Sequence, residues 1–293
     1  MPSTALAADY FVAPDGNDDA SGTTASKPFQ TMRRAVAAAA LPGDTVWIRG
    51  GVYPADNWNN QLSLTHSGTA AAPITFRNYP GELPILDGSE LYEDGASGVE
   101  PVPPATAPVA FVRIIGLVAR NWGTSGFSNG WPENVPNLAS SDISFINCIA
   151  DGNGVNGFSF AGAANVTIQN SIAAHNGARQ PSWSSGFSLF GATGNNVLDG
   201  NVAFENIDVS ARPEFGGRPT DGNGFILDEG TTHGYLVNNL GFRNGGACLK
   251  VTLSSGATLM NNTCVQNGQD ANTQFNPEVY ISEQQSGQGT SLR

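Results

Sequence analysis

Only two lysines occur in the chain, Lys27 and Lys250, and the second lies in the strand-like run Leu249-Lys250-Val251. An amine held on a strand face suits chemistry that removes a proton alpha to a carboxylate. Such a reaction needs a base for the proton, a cation to hold the growing enolate charge and an acid for the leaving oxygen. Lys250 is a candidate base if neighbouring positive charge lowers its pKa. Tyr280 is a candidate acid, or the base itself with Lys250 stabilising its phenolate. A solvated surface lysine is the plain alternative. Asp221, Asp228 and Glu229 supply hard oxygen ligands of the kind that suit Ca2+. The same carboxylates read equally as the acid and base of a hydrolase, or as closures of the turns Asp221-Gly-Asn-Gly224 and Asp228-Glu-Gly230. Arg179, Arg212 and Arg218 are candidates to bind substrate carboxylates, and Trp183 offers a flat face for a sugar ring. His233 is a weaker base candidate, while His175, Glu205 and Arg243 fall in a separate outward column that reads as salt-bridged surface.

These residues are positioned by a repeat. The phrase Asn-x-Ile-Ala-x-x-Asn recurs with variations and ends at Asn153, Asn176, Asn206, Asn244 and Asn267, with Asn121 as its expected first member. The spacings 153 to 176 and 244 to 267 are both 23 residues, and those between them are 30 and 38. A 23-residue period with insertions predicts solenoid coils. A second phrase, Gly157-Phe-Ser-Phe160, Gly186-Phe-Ser-Leu189, Gly224-Phe-Ile-Leu227 and Cys248-Leu-Lys-Val251, marks one strand position in each coil. From that strand to the next ladder Asn the distance stays at 19 or 20, while from the Asn to the strand it runs 4, 10, 18, 4 and 11. All variable length therefore sits in one turn, and residues 177–185, 207–223 and 268–277 are predicted to wall one cleft. Strand alternation places Phe158, Phe187, Phe225, Leu249 and Val279 inside, and Ser128, Ser159, Ser188, Ile226, Lys250 and Tyr280 in the outward column. The Asn column reads as side-chain amides bonding up the stack.

Ahead of the repeat, Tyr10-Phe11-Val12 predicts a strand, and Pro28, Phe29, Met32, Val36 and Ala39 predict a helix closed by Pro42-Gly43. Short strands follow at Thr45-Val46-Trp47-Ile48, Ile74-Thr75-Phe76 and Ile85-Leu86. The series Lys27-Pro28-Phe29-Gln30-Thr31, Pro42-Gly43-Asp44-Thr45-Val46, Gly50-Gly51-Val52-Tyr53 and Ala72-Pro73-Ile74-Thr75-Phe76 resembles the opening of secreted right-handed parallel β-helix proteins, especially polysaccharide lyases of the pectate, alginate and chondroitin groups. The resemblance implies an all-β, right-handed, single-stranded parallel β-helix with an N-terminal capping α-helix. It implies residues 10–293 as one domain, with the cap and first coils at 10–110, regular coils at 111–293, and 1–9 as a signal-peptide remnant or tail.

The repeat region is most similar to family-nine pectate lyases, in which a coil carrying Asp-Asp-Gly-x-Asp binds calcium and the next carries Gly-Asn-Gly-Phe-Lys, whose Lys is the base. Here the first motif is replaced by Ser184-Ser185-Gly186-Phe187-Ser188 and the second by Gly222-Asn223-Gly224-Phe225-Ile226. Either the site has moved one coil, to Lys250 with Asp221, Asp228 and Glu229, or the family's chemistry is absent. The readings that follow are a polysaccharide lyase acting on a pectate- or alginate-type polymer with Ca2+, a glycoside hydrolase on the same scaffold, or a non-catalytic carbohydrate-binding solenoid.

The 293 residues carry 25 acidic and 13 basic side chains, a formal charge of −12, which disfavours a nucleic-acid partner. No apolar run reaches membrane-spanning length. Ala5-Leu6-Ala7 has the small-x-small form found before a signal-peptidase cut, so a secreted or periplasmic location is expected. Cys148, Cys248 and Cys264 lack metal-ligand spacing and read as core filler. The chain is expected to be a monomer unless another chain covers the coil after Tyr280, where no capping element is evident.

Overall fold

The computed structural model describes residues 6–101, 108–129, 140–274, 277–283 and 289–292. Its strands form three parallel sheets of 10, 8 and 8 strands, and each coil contributes one strand to each sheet in turn. This is the right-handed parallel β-helix that the resemblance implied, built of the coils that the repeat predicted. Pairing is in register from coil to coil, as in Phe127↔Phe158, Phe158↔Phe187, Phe187↔Phe225 and Phe225↔Leu249. The inward side chains of this sheet therefore stack. The rings of Phe127, Phe158, Phe187 and Phe225 lie 4.7, 4.8 and 4.8 Å apart between centroids, close to the strand spacing of a sheet. Leu249 continues the column in the core, but Val279, expected inside, is 40% exposed because it lies on the outermost strand of its sheet.

The helix Met32–Ala38 covers the first coil and buries Met32, Ala35 and Val36. It starts later than Pro28 predicted. The Asp18 carboxylate takes the amides of Gln30 and Thr31, and the Thr31 hydroxyl then caps Arg34, so the helix begins after Thr31. Phe29 instead bridges to Val12 in extended backbone.

The predicted Asn column is a hydrogen-bonded ladder. Each side-chain amide donates to the next, from Asn153 to Asn176, Asn206, Asn244 and Asn267 at 2.8–2.9 Å, and Asn267 ends it on Glu278. Asn121 does not begin the ladder. It occupies the preceding left-handed position, with φ 57°, where later coils place His175, Glu205 and Arg243, and it is the Trp122 amide that donates to Asn153 Oδ1 at 3.1 Å. A second ladder, missed in the sequence, runs through Ser171, Asn201, Asn239 and Asn262 at the next corner.

Where this ladder meets the strand, neighbouring coils carry glycine because nothing larger fits. A Cβ on Gly157 would lie 2.6 Å from the Gly186 carbonyl oxygen and 2.7 Å from the Ala173 methyl. The next member of that column is Cys248, and two exchanges one coil corner away accommodate it. Gly241 stands in line with Ala203 and leaves room for the Cys248 sulfur, and Cys264 follows Gly241 in register and forms a disulfide with Cys248. Cys248 and Cys264 are thus a crosslink across the coil rather than filler. Cys148 alone remains a free, buried thiol, pushed up to about 12 by burial.

Candidate functional site

The outward column is aligned as the alternation predicted, with Ser128↔Ser159, Ser159↔Ser188, Ser188↔Ile226, Ile226↔Lys250 and Lys250↔Tyr280 as successive partners. Outward does not mean open. The inserted segment 207–223 folds back over the strand face and leaves Ile226 2% and Lys250 5% exposed. Lys250 Nζ donates to Asp221 Oδ1 at 2.7 Å and to the Thr220 carbonyl at 3.0 Å. Both partners are themselves buried, so this is an ion pair removed from water.

Asp221 is held by more than the lysine. Asn223 Nδ2 donates to the same carboxylate oxygen at 3.1 Å, and the Asp221 amide reaches Asp208 Oδ2 at 3.4 Å. Asp208 is 2% exposed and closes a local turn by accepting from the Ser210 amide at 2.9 Å and from the Ser210 hydroxyl. Burial raises its pKa; the Ser210 bonds oppose the rise and the Asp221 charge adds to it. Asp208 and Thr220 were not found in the sequence. Their only signal there was membership of an inserted loop.

Asp228 sits on the neighbouring rung of the same face, paired with Phe190. Burial pushes its pKa up to about 6, with the Asp221 charge contributing next. Glu229 is exposed and turns away, its amide donating back to Asp228 Oδ1 at 3.0 Å. Asp221 and Asp228 are therefore in electrostatic contact, but among the described residues the carboxylates of Asp221, Asp228 and Glu229 do not converge within 4.8 Å of one another. With Asp221 already bound to Lys250, the three do not form a preassembled calcium cage.

The substrate-binding candidates lie on the loop wall, of which residues 275 and 276 are outside the described residues. Trp183 is 53% exposed, and the Arg212 guanidinium lies 3.4 Å over its ring centroid. That stacking leaves Arg212 Nε and Nη2 shielded and without hydrogen-bond partners. Arg212 also pairs through its backbone with Arg218, bracketing the turn Pro213–Phe215. Arg179 and Arg218 are exposed on the same wall. His175 lies on another face, between Asp151 at 2.7 Å and Glu205 at 3.3 Å, with Arg243 on Glu205 at 3.5 Å, as expected of a salt-bridged surface. His233 is exposed at a turn corner.

Comparison with known proteins agrees with this architecture. Residues 10–128 match the model described as "Pel9A-like, right handed beta helix region". Pectate lyase PEL9 of Emericella nidulans is 48% identical over 87 residues, which span 29% of this chain and 20% of that protein. An uncharacterised protein of Bacillus subtilis, YwoF, is 43% identical over 84 residues, 28% of this chain and 16% of its own length. The matched stretches thus cover a fifth or less of these curated relatives. Among solved structures, pectate lyase Pel9A aligns with 99% of this chain and 75% of its own, at TM-score 0.61 and 20% identity. An alginate lyase from Paenibacillus sp. aligns with 89% and 82%, at TM-score 0.60 and 17% identity. At those identities the likeness is one of fold. The described residues therefore form a right-handed parallel β-helix, and residues 10–128 are similar to the Pel9A-like right-handed β-helix region.

Proposed function

We propose that the protein is a secreted or periplasmic polysaccharide lyase that cleaves a uronate-containing polymer of the pectate or alginate type by β-elimination. The observation that carries this reading is the pairing of Lys250 and Tyr280 on adjacent rungs of one outward column, beneath the long-loop wall. Lys250 donates to both Asp221 and Thr220 beneath the loop, so in this reading it orders the face on which Tyr280 works and acts on the reacting sugar only if substrate draws it away from Asp221. Tyr280 is then the proton carrier. Trp183 and the wall arginines Arg179, Arg212 and Arg218 would seat the sugar chain. Calcium would serve as a bridge between acidic polymer and acidic protein, carried largely by the substrate's own carboxylates, since Asp221, Asp228 and Glu229 do not converge on one point. The Cys248–Cys264 crosslink supports an oxidising compartment.

The test is ultraviolet absorbance of the unsaturated uronate product, with pectate, alginate and glycosaminoglycans offered in calcium or in chelator. Product formation that Lys250→Ala and Tyr280→Phe abolish is the expected result. No unsaturated product from any acidic polymer would sink the lyase reading. One observation favours a second reading, a glycoside hydrolase. Asp228, raised to about 6, has the environment of a general acid beside its carboxylate neighbour Asp221. Reducing ends released without ultraviolet absorbance, and lost in Asp228→Asn, would select it.

A further inference from the structure

Beside the strand face, where the inserted segments 207–223 and 268–274 approach one another, lies an open cleft of about 440 Å3. Its lining combines an aliphatic side, Ile207, Val209 and Pro219, with the polar groups Asp208, Asp270 and Asn272. Val209 is 45% exposed, so an apolar surface is presented to solvent directly beside hydrogen-bonding groups. Among the described residues neither lysine nor arginine lines the cleft.

The lining carboxylates differ in what they can still bind. Asp208 is buried, and both its oxygens already accept, from Ser210 and from the Asp221 amide. Asp270 Oδ1 takes the Asn272 amide at 2.8 Å, which leaves Oδ2 to accept from a ligand, and the Asn272 side chain is exposed with both a donor and an acceptor. One accessible carboxylate with an amide beside it is a poor cation cage, which needs several converging oxygens. It is well suited to hydroxyl groups, with a carboxylate accepting and an amide doing both. The aliphatic side matches the C–H face of a pyranose ring. A uronate placed here would bring its charge against Asp270 with no cation in the lining.

We infer that this cleft is a subsite for a neutral sugar residue, and, resting on the lyase reading above, that the substrate is a mixed polymer in which a neutral sugar neighbours the uronate that is attacked. The connection to the reacting position is short: Asp208 lines the cleft and accepts the amide of Asp221, and Asp221 holds Lys250. A chain laid along the outward face would pass over the loop that covers Lys250 and reach the cleft beside it.

The test is calorimetric titration of the whole protein, in chelator and again in calcium, with neutral oligosaccharides (galactan, glucan and mannan tetramers) and with oligogalacturonate and oligomannuronate. At least one neutral tetramer should bind, and both Asp270→Ala and Asn272→Ala should weaken it by about tenfold, the loss of one or two ligand hydrogen bonds. Binding of the oligouronates should be unchanged by these substitutions, which lie on exposed loop positions. Absence of neutral-sugar binding would overturn the inference. So would oligouronate binding in calcium that Asp270→Ala removes, since the cleft would then be a cation-bridged acid site. The titration needs no turnover: neutral binding without unsaturated product would leave the subsite standing and remove the lyase reading alone.

Discussion

Lys250 and Asp221 form an ion pair with side chains 6% and 4% exposed, and each is the other's justification for being buried. Asp221→Asn should cost on the order of 3–5 kcal/mol because it strands an ammonium in a dry site, while the double variant Asp221→Asn/Lys250→Met should recover most of that loss. Urea unfolding of the two singles and the double would show it, and additive losses would mean that the pair is not coupled. Asp228 makes a prediction of the opposite kind. Its folded pKa of about 6 lies above the ordinary aspartate value of 3.8, so the folded state holds the proton more tightly than the unfolded chain. The stability contribution is complete below the unfolded value and is lost as pH rises through about 6. Asp228→Asn should therefore be more stable than the parent at pH 7, by on the order of 2 kcal/mol, and indistinguishable from it at about pH 3. Melting curves across that range would decide. The alignment of Lys250 with Tyr280 was legible in the sequence because alternation and coil length fix it. The burial of Lys250 was not, since it depends on how a loop with no repeat of its own folds back on Asp208 and Ser210.

At the scale of elements, the ladder and the crosslink do similar work by different means. Asn206 sits in the middle of its ladder, donating to Asn244 and to the Ala173 carbonyl and accepting from Asn176. Asn206→Ala should cost about 3 kcal/mol by leaving several buried partners unsatisfied. Asn267→Ala, at the half-buried end, should cost about 1 kcal/mol. Equal losses would mean that the ladder does not depend on burial. For the crosslink, Cys248→Gly with Cys264→Ala restores the residue types of neighbouring coils. Because the bridge closes a loop with a sequence separation of 16, its removal should cost about 3 kcal/mol, and reduction of the parent should match it in a denaturation midpoint. The bridge escaped the sequence because Cys248 and Cys264 become neighbours only once the register is known. Asn121 misled for a related reason. The residue before each ladder position is left-handed, and an Asn is as much at home there as in the ladder itself.

At the scale of the molecule, the charge of −12 opposes any acidic polymer that approaches from solution. Association with a polyuronate should therefore speed up as monovalent salt rises from low to physiological ionic strength, the reverse of a basic binder, and calcium should accelerate it further. Stopped-flow measurements would check this. A rate that falls with salt would place the governing field in the local arginines of the loop wall. The fold itself was readable because a solenoid writes its period into the chain, and a 23-residue spacing with one variable turn leaves few other architectures. The cleft was less readable, because its shape belongs to the loops that break the period.

The in-register stacking of coils has a further consequence for how such a site can change over time. A side chain on the outward column cannot drift along the axis by small amounts. It can only be replaced by one on another rung, a translation of about 4.8 Å. Lys250 stands one whole step from the Ile226 position, and an exchange of side chains between those two rungs would leave the ladder, the ring stack and the backbone pairing unchanged. The scaffold behaves as a ruler with fixed graduations: an outward side chain changes place only in discrete units, and the loops of variable length provide the continuous adjustment between them.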